Sequence, residues 1–183
     1  GSRLRSIAEF DPRFFGMSRQ EAKLLDPNQR LFLQAAWAAL EDAGQMSGGL
    51  SGERVGVYVG LSTDFGVDYR SIVQTCAPEA PDVGVSGNVK SLMASRIAFL
   101  LDLTGPAMVV DTACSSGLVA VYMAMRAIQS GECSMAVVGG VKCDLVPLVS
   151  DSSGVGIKEI GDTESSDHRT RTFDRSSDGT NAA

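Results

Sequence analysis

The chain has 183 residues, of which 44% are hydrophobic and 21% are charged, a balance typical of a globular domain with a substantial core. Its net charge of -6, with no run of Lys or Arg, argues against binding to nucleic acid. No apolar run approaches the ~18 residues of a membrane span, and no secretory signal pattern is present, so neither a membrane protein nor a secreted protein is expected.

The first half of the sequence predicts a long helix followed by a buried strand. Residues 28–43 carry apolar side chains at helical spacing, with Asp26 as the N-cap and Pro27 at the first helical position. Residues 54–61 are mostly apolar and include glycines that allow close packing, which is typical of a buried strand. A short helix is expected near residues 69–74, within a longer loop.

The second half predicts two helices that alternate with two strands. Residues 88–101 have helical spacing, and residues 107–111 form the strand that follows them. Residues 115–130 are apolar on nearly every side, so this helix is predicted to be buried all round. Residues 134–141 are apolar throughout, as in a sheet covered on both faces, and residues 150–167 have the composition of a surface loop. This alternation predicts a layered α/β architecture.

The four cysteines form neither CxxC pairs nor a disulfide framework, which favours a reducing, cytoplasmic setting. Cys133 and Cys143 flank an apolar strand and are predicted to be buried small hydrophobic residues. No cluster of His, Cys or carboxylate residues indicates a metal site. The spacing of the glycine pairs does not match a dinucleotide-binding fingerprint, so no nucleotide cofactor is expected.

Cys114 is the strongest candidate for a reactive residue. An apolar strand leads to it, and the small residues Ser115, Ser116 and Gly117 open the long helix that follows. The first N–H groups of a helix and the positive end of its dipole favour a thiolate, and the same groups can hold a developing oxyanion. Asp111 and Thr112 are interpreted as residues that shape the turn, not as an acid or a base. Lys90 and Arg96 are expected to be solvated or ion-paired.

Several segments in the right order resemble the β-ketoacyl synthases, specifically the ketosynthase domains of modular polyketide synthases. The sequence DTACSS at residues 111–116 looks like the active-site signature of that family. The matching segments elsewhere are FFGMS at residues 14–18, DPNQRL at 26–31, ASRI at 94–97, RTFD at 171–174 and SDGT at 177–180.

The resemblance implies a thiolase-like α-β-α-β-α layered fold, of which residues 1–183 would be a partial, nucleophile-bearing half. The family's first strand and its histidine-bearing second half are then expected to lie outside these residues. His168, the one histidine of the chain, matches neither catalytic-histidine motif of the family and is expected to lie in a solvated loop.

The resemblance also implies a reaction and its partners. Cys114 would take an acyl group from a carrier-protein thioester, and the complete domain would then perform a decarboxylative Claisen condensation with a carrier-bound malonyl unit. No cofactor would bind directly, because substrates arrive on the phosphopantetheine arm of an acyl carrier protein. The expected partners are this carrier, the other domains of a multidomain synthase, and a second copy joined through the strand before Cys114.

An alternative function remains compatible with the same residues. The chain could be a non-condensing acyl-binding or scaffold half of a split ketosynthase, which docks the carrier protein without elongating the acyl chain. The sequence does not separate the two functions, because neither catalytic histidine lies within it.

Overall fold

The computed structural model describes residues 7–46, 49–62, 69–79, 87–143 and 175–176. The chain divides into two units, one of residues 8–146 and one that joins residues 1–7 to residues 147–183. Of the second unit only Ile7, Arg175 and Ser176 are described, the last two as an exposed turn. The predicted loop at residues 150–167 and His168 therefore lie outside the described residues, and the fold given below is that of the first unit.

Within these described ranges, the chain forms five helices and three strands, with at least one helix before each strand. In chain order they are α1 (Arg19–Leu24), α2 (Pro27–Asp42), β1 (Val55–Gly60), α3 (Tyr69–Cys76), α4 (Leu92–Leu100), β2 (Ala107–Val110), α5 (Ser116–Ser130) and β3 (Met135–Gly140). None of the helices seen there is both long enough and apolar enough to span a bilayer.

The start of α2 follows directly from its first residues. The Asp26 carboxylate accepts a hydrogen bond from the Asn28 N–H at 2.8 Å, and Pro27 occupies the first turn, where its missing N–H costs nothing. The predicted N-cap and helix are therefore confirmed. The helix ends at Asp42, and Gly44 follows in the left-handed region with φ +68°.

The three strands form a parallel sheet in the order β2-β1-β3. All six residues of the central strand β1 are buried. Val55, Val57 and Val59 pack with α2 and α4 on one face, whereas Tyr58 packs with α5 on the other. The result is three layers, helix on sheet on helix, and the predicted layered α/β architecture is confirmed.

The prediction that α5 is buried all round is wrong. Its buried residues are Ser116, Ala120, Ala124 and Ala127, which lie on the side facing the sheet. Five of its large apolar side chains are exposed: Leu118, Val121, Tyr122, Met125 and Ile128. Because the sheet covers only one side of a helix, apolar residues on the other side need a second surface to bury them.

Helix α4 begins at Leu92 and not near residue 88 as its spacing predicted. The Asn88 side chain instead forms hydrogen bonds to the segment between α1 and α2, and only 3% of the residue is exposed. Its Oδ1 accepts from the Asp26 N–H at 2.7 Å, and its Nδ2 donates to the Leu24 carbonyl at 2.6 Å. This long-range tether holds the connection between α1 and α2 and keeps residues 87–91 in turns.

Candidate active site

The turn between β2 and α5 carries Cys114, the sequence-predicted nucleophile. Strand β2 ends at Val110 and α5 begins at Ser116, so residues 111–115 reverse the chain within five residues. Ala113 adopts φ +54°, a left-handed conformation that costs an L-residue roughly 1–2 kcal/mol. The Cys114 thiol is exposed and makes no disulfide. The order of strand, turn, cysteine and helix start is therefore the one predicted from the sequence.

Side-chain hydrogen bonds hold this turn on both sides of Cys114. The Asp111 carboxylate accepts from the Ala113 N–H at 3.1 Å, and the Ser115 hydroxyl donates to the Thr112 carbonyl at 2.7 Å. The Ser116 hydroxyl accepts from the Thr112 N–H at 2.9 Å and donates to the Ala113 carbonyl at 2.6 Å. Asp111 and Thr112 thus have the turn-shaping role that was expected of them.

Gly60, the last residue of β1, brings the start of α5 close to the sheet. A Cβ atom at Gly60 would lie 2.6 Å from the Gly117 nitrogen and 2.7 Å from the Ser116 carbonyl carbon, which is closer than real contacts allow. Only glycine fits at this position, because the atoms it meets are backbone. The end of β1 therefore fixes where α5 begins, and with it the turn that carries Cys114.

The start of α5 also gives the site its electrostatic character. Ser115, the N-cap residue, makes no capping hydrogen bond from its side chain to the helix. The fifteen residues of α5 direct the positive end of their dipole toward the turn, where a developing oxyanion is stabilised. This arrangement suits a nucleophilic thiol and an oxyanion that forms next to it.

Two contributors to the site were not identified from the sequence. Ser116 was placed in the signature segment but given no role beyond its small size, although a hydroxyl at the first helical position commonly bonds back to the preceding turn. Gly60 was expected to pack closely, but its contact is with Ser116 and Gly117, more than 50 residues later in the sequence. The role of Ser116 could have been predicted from its position next to the turn, whereas no neighbouring residue indicates the contact of Gly60.

The other singled-out residues have structural environments. Arg96 forms an ion pair with Glu21 at 2.7 Å and also donates to the Gly87 carbonyl, in agreement with the expected ion pair. Cys133 is buried, as predicted, whereas Cys143 is only half-buried. Among the described residues, no group of three or more His, Cys, Asp or Glu side chains is placed to hold a metal ion.

Comparison with known proteins places this geometry in a family. The model of the β-ketoacyl synthase N-terminal domain matches residues 1–183. The pikromycin polyketide synthase component PikAII of Streptomyces venezuelae is 40% identical over 181 residues, which make up 98% of this chain and 5% of that protein. The polyketide synthase PksN of Bacillus subtilis is 37% identical over 98% of this chain and 3% of its own length.

Solved structures give the same assignment. The ketosynthase from module 6 of the bacillaene synthase of Bacillus subtilis 168 is 39% identical, with a TM-score of 0.65 over 79% of this chain and 23% of that one. The oxazolomycin ketosynthase domain OzmH KS7 of Streptomyces albus JA3453 is 40% identical, with a TM-score of 0.68 over 81% of this chain and 25% of that one. The chain thus spans about a quarter of these ketosynthase structures. It belongs to the β-ketoacyl synthase family and has the thiolase-like fold of polyketide synthase ketosynthases.

Proposed function

We propose that Cys114 accepts an acyl group from the phosphopantetheine thioester of an acyl carrier protein, as the first step of polyketide chain elongation. In the complete ketosynthase domain, acyl-Cys114 then condenses with a carrier-bound malonyl unit. The observation that carries this function is an exposed thiol in a hydrogen-bonded turn at the start of a fifteen-residue helix, in a chain of the β-ketoacyl synthase family.

The proposed first step is an exchange of thioesters. The Cys114 thiolate attacks the carbonyl carbon of the carrier-bound acyl group, and a tetrahedral oxyanion forms. Collapse of this intermediate forms the acyl-Cys114 thioester and releases the phosphopantetheine thiolate, which takes up a proton. By resemblance to the family, the Cys114 backbone N–H supplies one hydrogen bond to the oxyanion.

In the proposed second step, the malonyl thioester loses carbon dioxide and leaves a carbanion. The carbanion attacks the carbonyl carbon of acyl-Cys114, a carbon–carbon bond forms, and the Cys114 thiolate departs. The family uses two histidines for this step, and neither has a counterpart in residues 1–183. We therefore propose that these residues are the nucleophile-bearing part of a ketosynthase domain that further residues complete.

The exposed side of α5 supports this partial-domain assignment. Leu118 is 79% exposed, Tyr122 is 58% exposed and Val121 is 53% exposed, all on one helix. An apolar stripe of this kind is typical of a surface that other protein covers. Because the matched ketosynthase structures are about four times as long as the segment they share with this chain, the remaining part of such a domain is a sufficient source of that cover.

The proposed homodimer would use strand β2. Its residues pair only with β1 among the described strands, so β2 is an edge of the sheet. An edge strand exposes backbone N–H and C=O groups that a second copy can pair with. Residues 108–110 lead directly into the turn that carries Cys114. If the two copies pair through these residues, both Cys114 turns would lie near the two-fold axis. The carrier, the neighbouring synthase domains and a cytoplasmic location complete the proposal.

Acylation of Cys114 can be tested by mass spectrometry. The folded chain would be incubated with an acyl group on a carrier protein, and each cysteine peptide would be analysed for the acyl mass. We expect the adduct on Cys114, its loss in Cys114→Ala, and its retention in Cys76→Ala, the matched control at another exposed cysteine. Absence of an adduct at Cys114 in folded protein, or equal labelling of Cys76, would contradict the proposed role.

Condensation needs a separate experiment. The complete domain would be supplied with acylated carrier and malonyl carrier, and carbon dioxide release would be followed together with the length of the carrier-bound chain. Release of carbon dioxide with an extended β-keto product is the expected result. Transfer of the acyl group without carbon dioxide release would instead favour an acyl-binding module that docks the carrier without elongation.

A further inference from the structure

We propose that Ser116 is a positioning residue whose buried hydroxyl holds the Cys114 turn in its reactive geometry. This role rests on the proposed function, in which the thiol must meet a thioester carbonyl at a defined place. Ser116 is the first residue of α5, and only 4% of it is exposed.

The Ser116 side chain forms hydrogen bonds to the two residues that precede Cys114. Its Oγ accepts from the Thr112 N–H at 2.9 Å and donates to the Ala113 carbonyl at 2.6 Å. Its own backbone N–H also donates to the Ala113 carbonyl, at 3.1 Å. The two residues before Cys114 are thus tied to a residue after it, and Cys114 itself is left exposed to react.

The contact with Ala113 matters because that residue has an unfavourable backbone conformation. At φ +54°, an alanine is stable only where its surroundings hold it. Its carbonyl is bonded to the Ser116 hydroxyl and N–H, and its N–H is bonded to the Asp111 carboxylate. Without the Ser116 hydroxyl, the turn loses two of its hydrogen bonds, one to the Thr112 N–H and one to the Ala113 carbonyl, and Ala113 can move toward an ordinary conformation.

Ser115 provides a natural comparison, because it carries the same hydroxyl one residue earlier. Its Oγ donates to the Thr112 carbonyl at 2.7 Å and lies 2.9 Å from the Thr112 Oγ1, but the residue is exposed. Water can replace the exposed Ser115 hydroxyl at these acceptors, whereas the Ser116 side chain is buried and its bond with the Thr112 N–H is part-buried, so water replaces that hydroxyl less readily. The two serines are therefore expected to differ in their effect on Cys114.

The test measures alkylation of Cys114 by iodoacetamide, in which a sulfur–carbon bond forms and iodide leaves. Cys76 is exposed on α3 and serves as an internal reference in each sample. We expect Ser116→Ala to lower the Cys114-to-Cys76 rate ratio about tenfold, because alkylation depends on the exposure of the sulfur and on its position relative to the N-terminus of α5. Ser115→Ala should stay within about threefold of the wild-type ratio, and Ser116→Thr, which keeps the hydroxyl, should restore most of it.

A general loss of stability would change both cysteines together, so the ratio separates positioning from folding. If Ser116→Ala does not fold, the pair Ser116→Thr and Ser116→Val is compared, because the two side chains have similar volume and differ in the hydroxyl. An unchanged ratio in folded Ser116→Ala or Ser116→Val, or an equal loss in Ser115→Ala, would overturn the positioning role.

The probe also distinguishes this role from the proposed function. Iodoacetamide needs neither a carrier nor a thioester, so it reports on the turn even if Cys114 accepts no acyl group. Conversely, acylation of Ser116→Ala by the carrier-bound thioester at the wild-type rate would overturn the role of Ser116 and leave the acyl-transfer function standing.

Discussion

Replacing Gly60 by alanine is expected to push the start of α5 away from the end of β1. The new Cβ would lie 2.6 Å from the Gly117 nitrogen, 2.7 Å from the Gly117 Cα and 2.7 Å from the Ser116 carbonyl carbon. Favourable separations between such atoms are about 3.5–4.0 Å, so a gap of about 1 Å must open. All three atoms are backbone, and no change of rotamer can relieve the contact.

Two effects of this displacement should be measurable. Overpacking of this kind costs about 1–3 kcal/mol, which corresponds to a fall in Tm of several degrees for a chain of this size. The turn that carries Cys114 moves with the start of α5, so its reaction with a carrier-bound thioester should slow by about tenfold to a hundredfold. Thermal unfolding and single-turnover acylation would report the two effects separately.

Gly139→Ala is the matched control for Gly60→Ala. Its Cβ would lie 2.9 Å from the Phe32 Cε2 atom, a side chain of α2 on the face of the sheet opposite α5. This variant should lower the Tm without slowing acylation of Cys114. The reasoning is refuted if Gly60→Ala keeps both its Tm and its acylation rate, or if Gly139→Ala slows acylation as much as Gly60→Ala does.

Three further changes test the packing around the sheet. Asn88→Ala removes two part-buried hydrogen bonds to the backbone and should lower the urea-unfolding free energy by about 1–3 kcal/mol. Glu21→Gln removes the 2.7 Å ion pair with Arg96, but Glu21 is 43% exposed, so the loss should be below about 1 kcal/mol and should shrink in 1 M salt by unfolding assays. Burial, with added repulsion from Cys133 and Glu132, raises the pKa of Tyr58 above 10.0, so the unfolded chain ionises first and folding weakens as the pH rises past about 10. Tyr58→Phe should lose less stability over that range, and an identical pH dependence of unfolding in both proteins would contradict this origin.

Local signals predicted the elements whose ends are set by nearby residues. Asp26 and Pro27 are sufficient to place the start of α2, because both the capping bond and the proline act within one turn. The turn at Cys114 was found for the same reason, since strand, small residues and helix are adjacent in sequence. Here the chain's own short-range chemistry determines the structure.

The sequence-based predictions were wrong where contacts between distant parts of the chain determine the structure. Helix α4 starts four residues later than its spacing predicted, because the Asn88 side chain bonds to backbone more than 60 residues away. Burial of α5 was overestimated, because apolar composition does not reveal which surface covers a helix. The close approach of Gly60 to Gly117 was likewise invisible until both strands and the helix were in place.

The two sides of α5 have separate tasks. Alanines at 120, 124 and 127 hold the helix to its own sheet, whereas Leu118 and Tyr122 contribute little to that attachment. Substitutions on the outer side should consequently leave the fold of the isolated chain almost unaffected and still impair association with whatever surface the stripe meets. The residues for folding and the residues for association can therefore change independently in evolution, although both lie on one helix of fifteen residues.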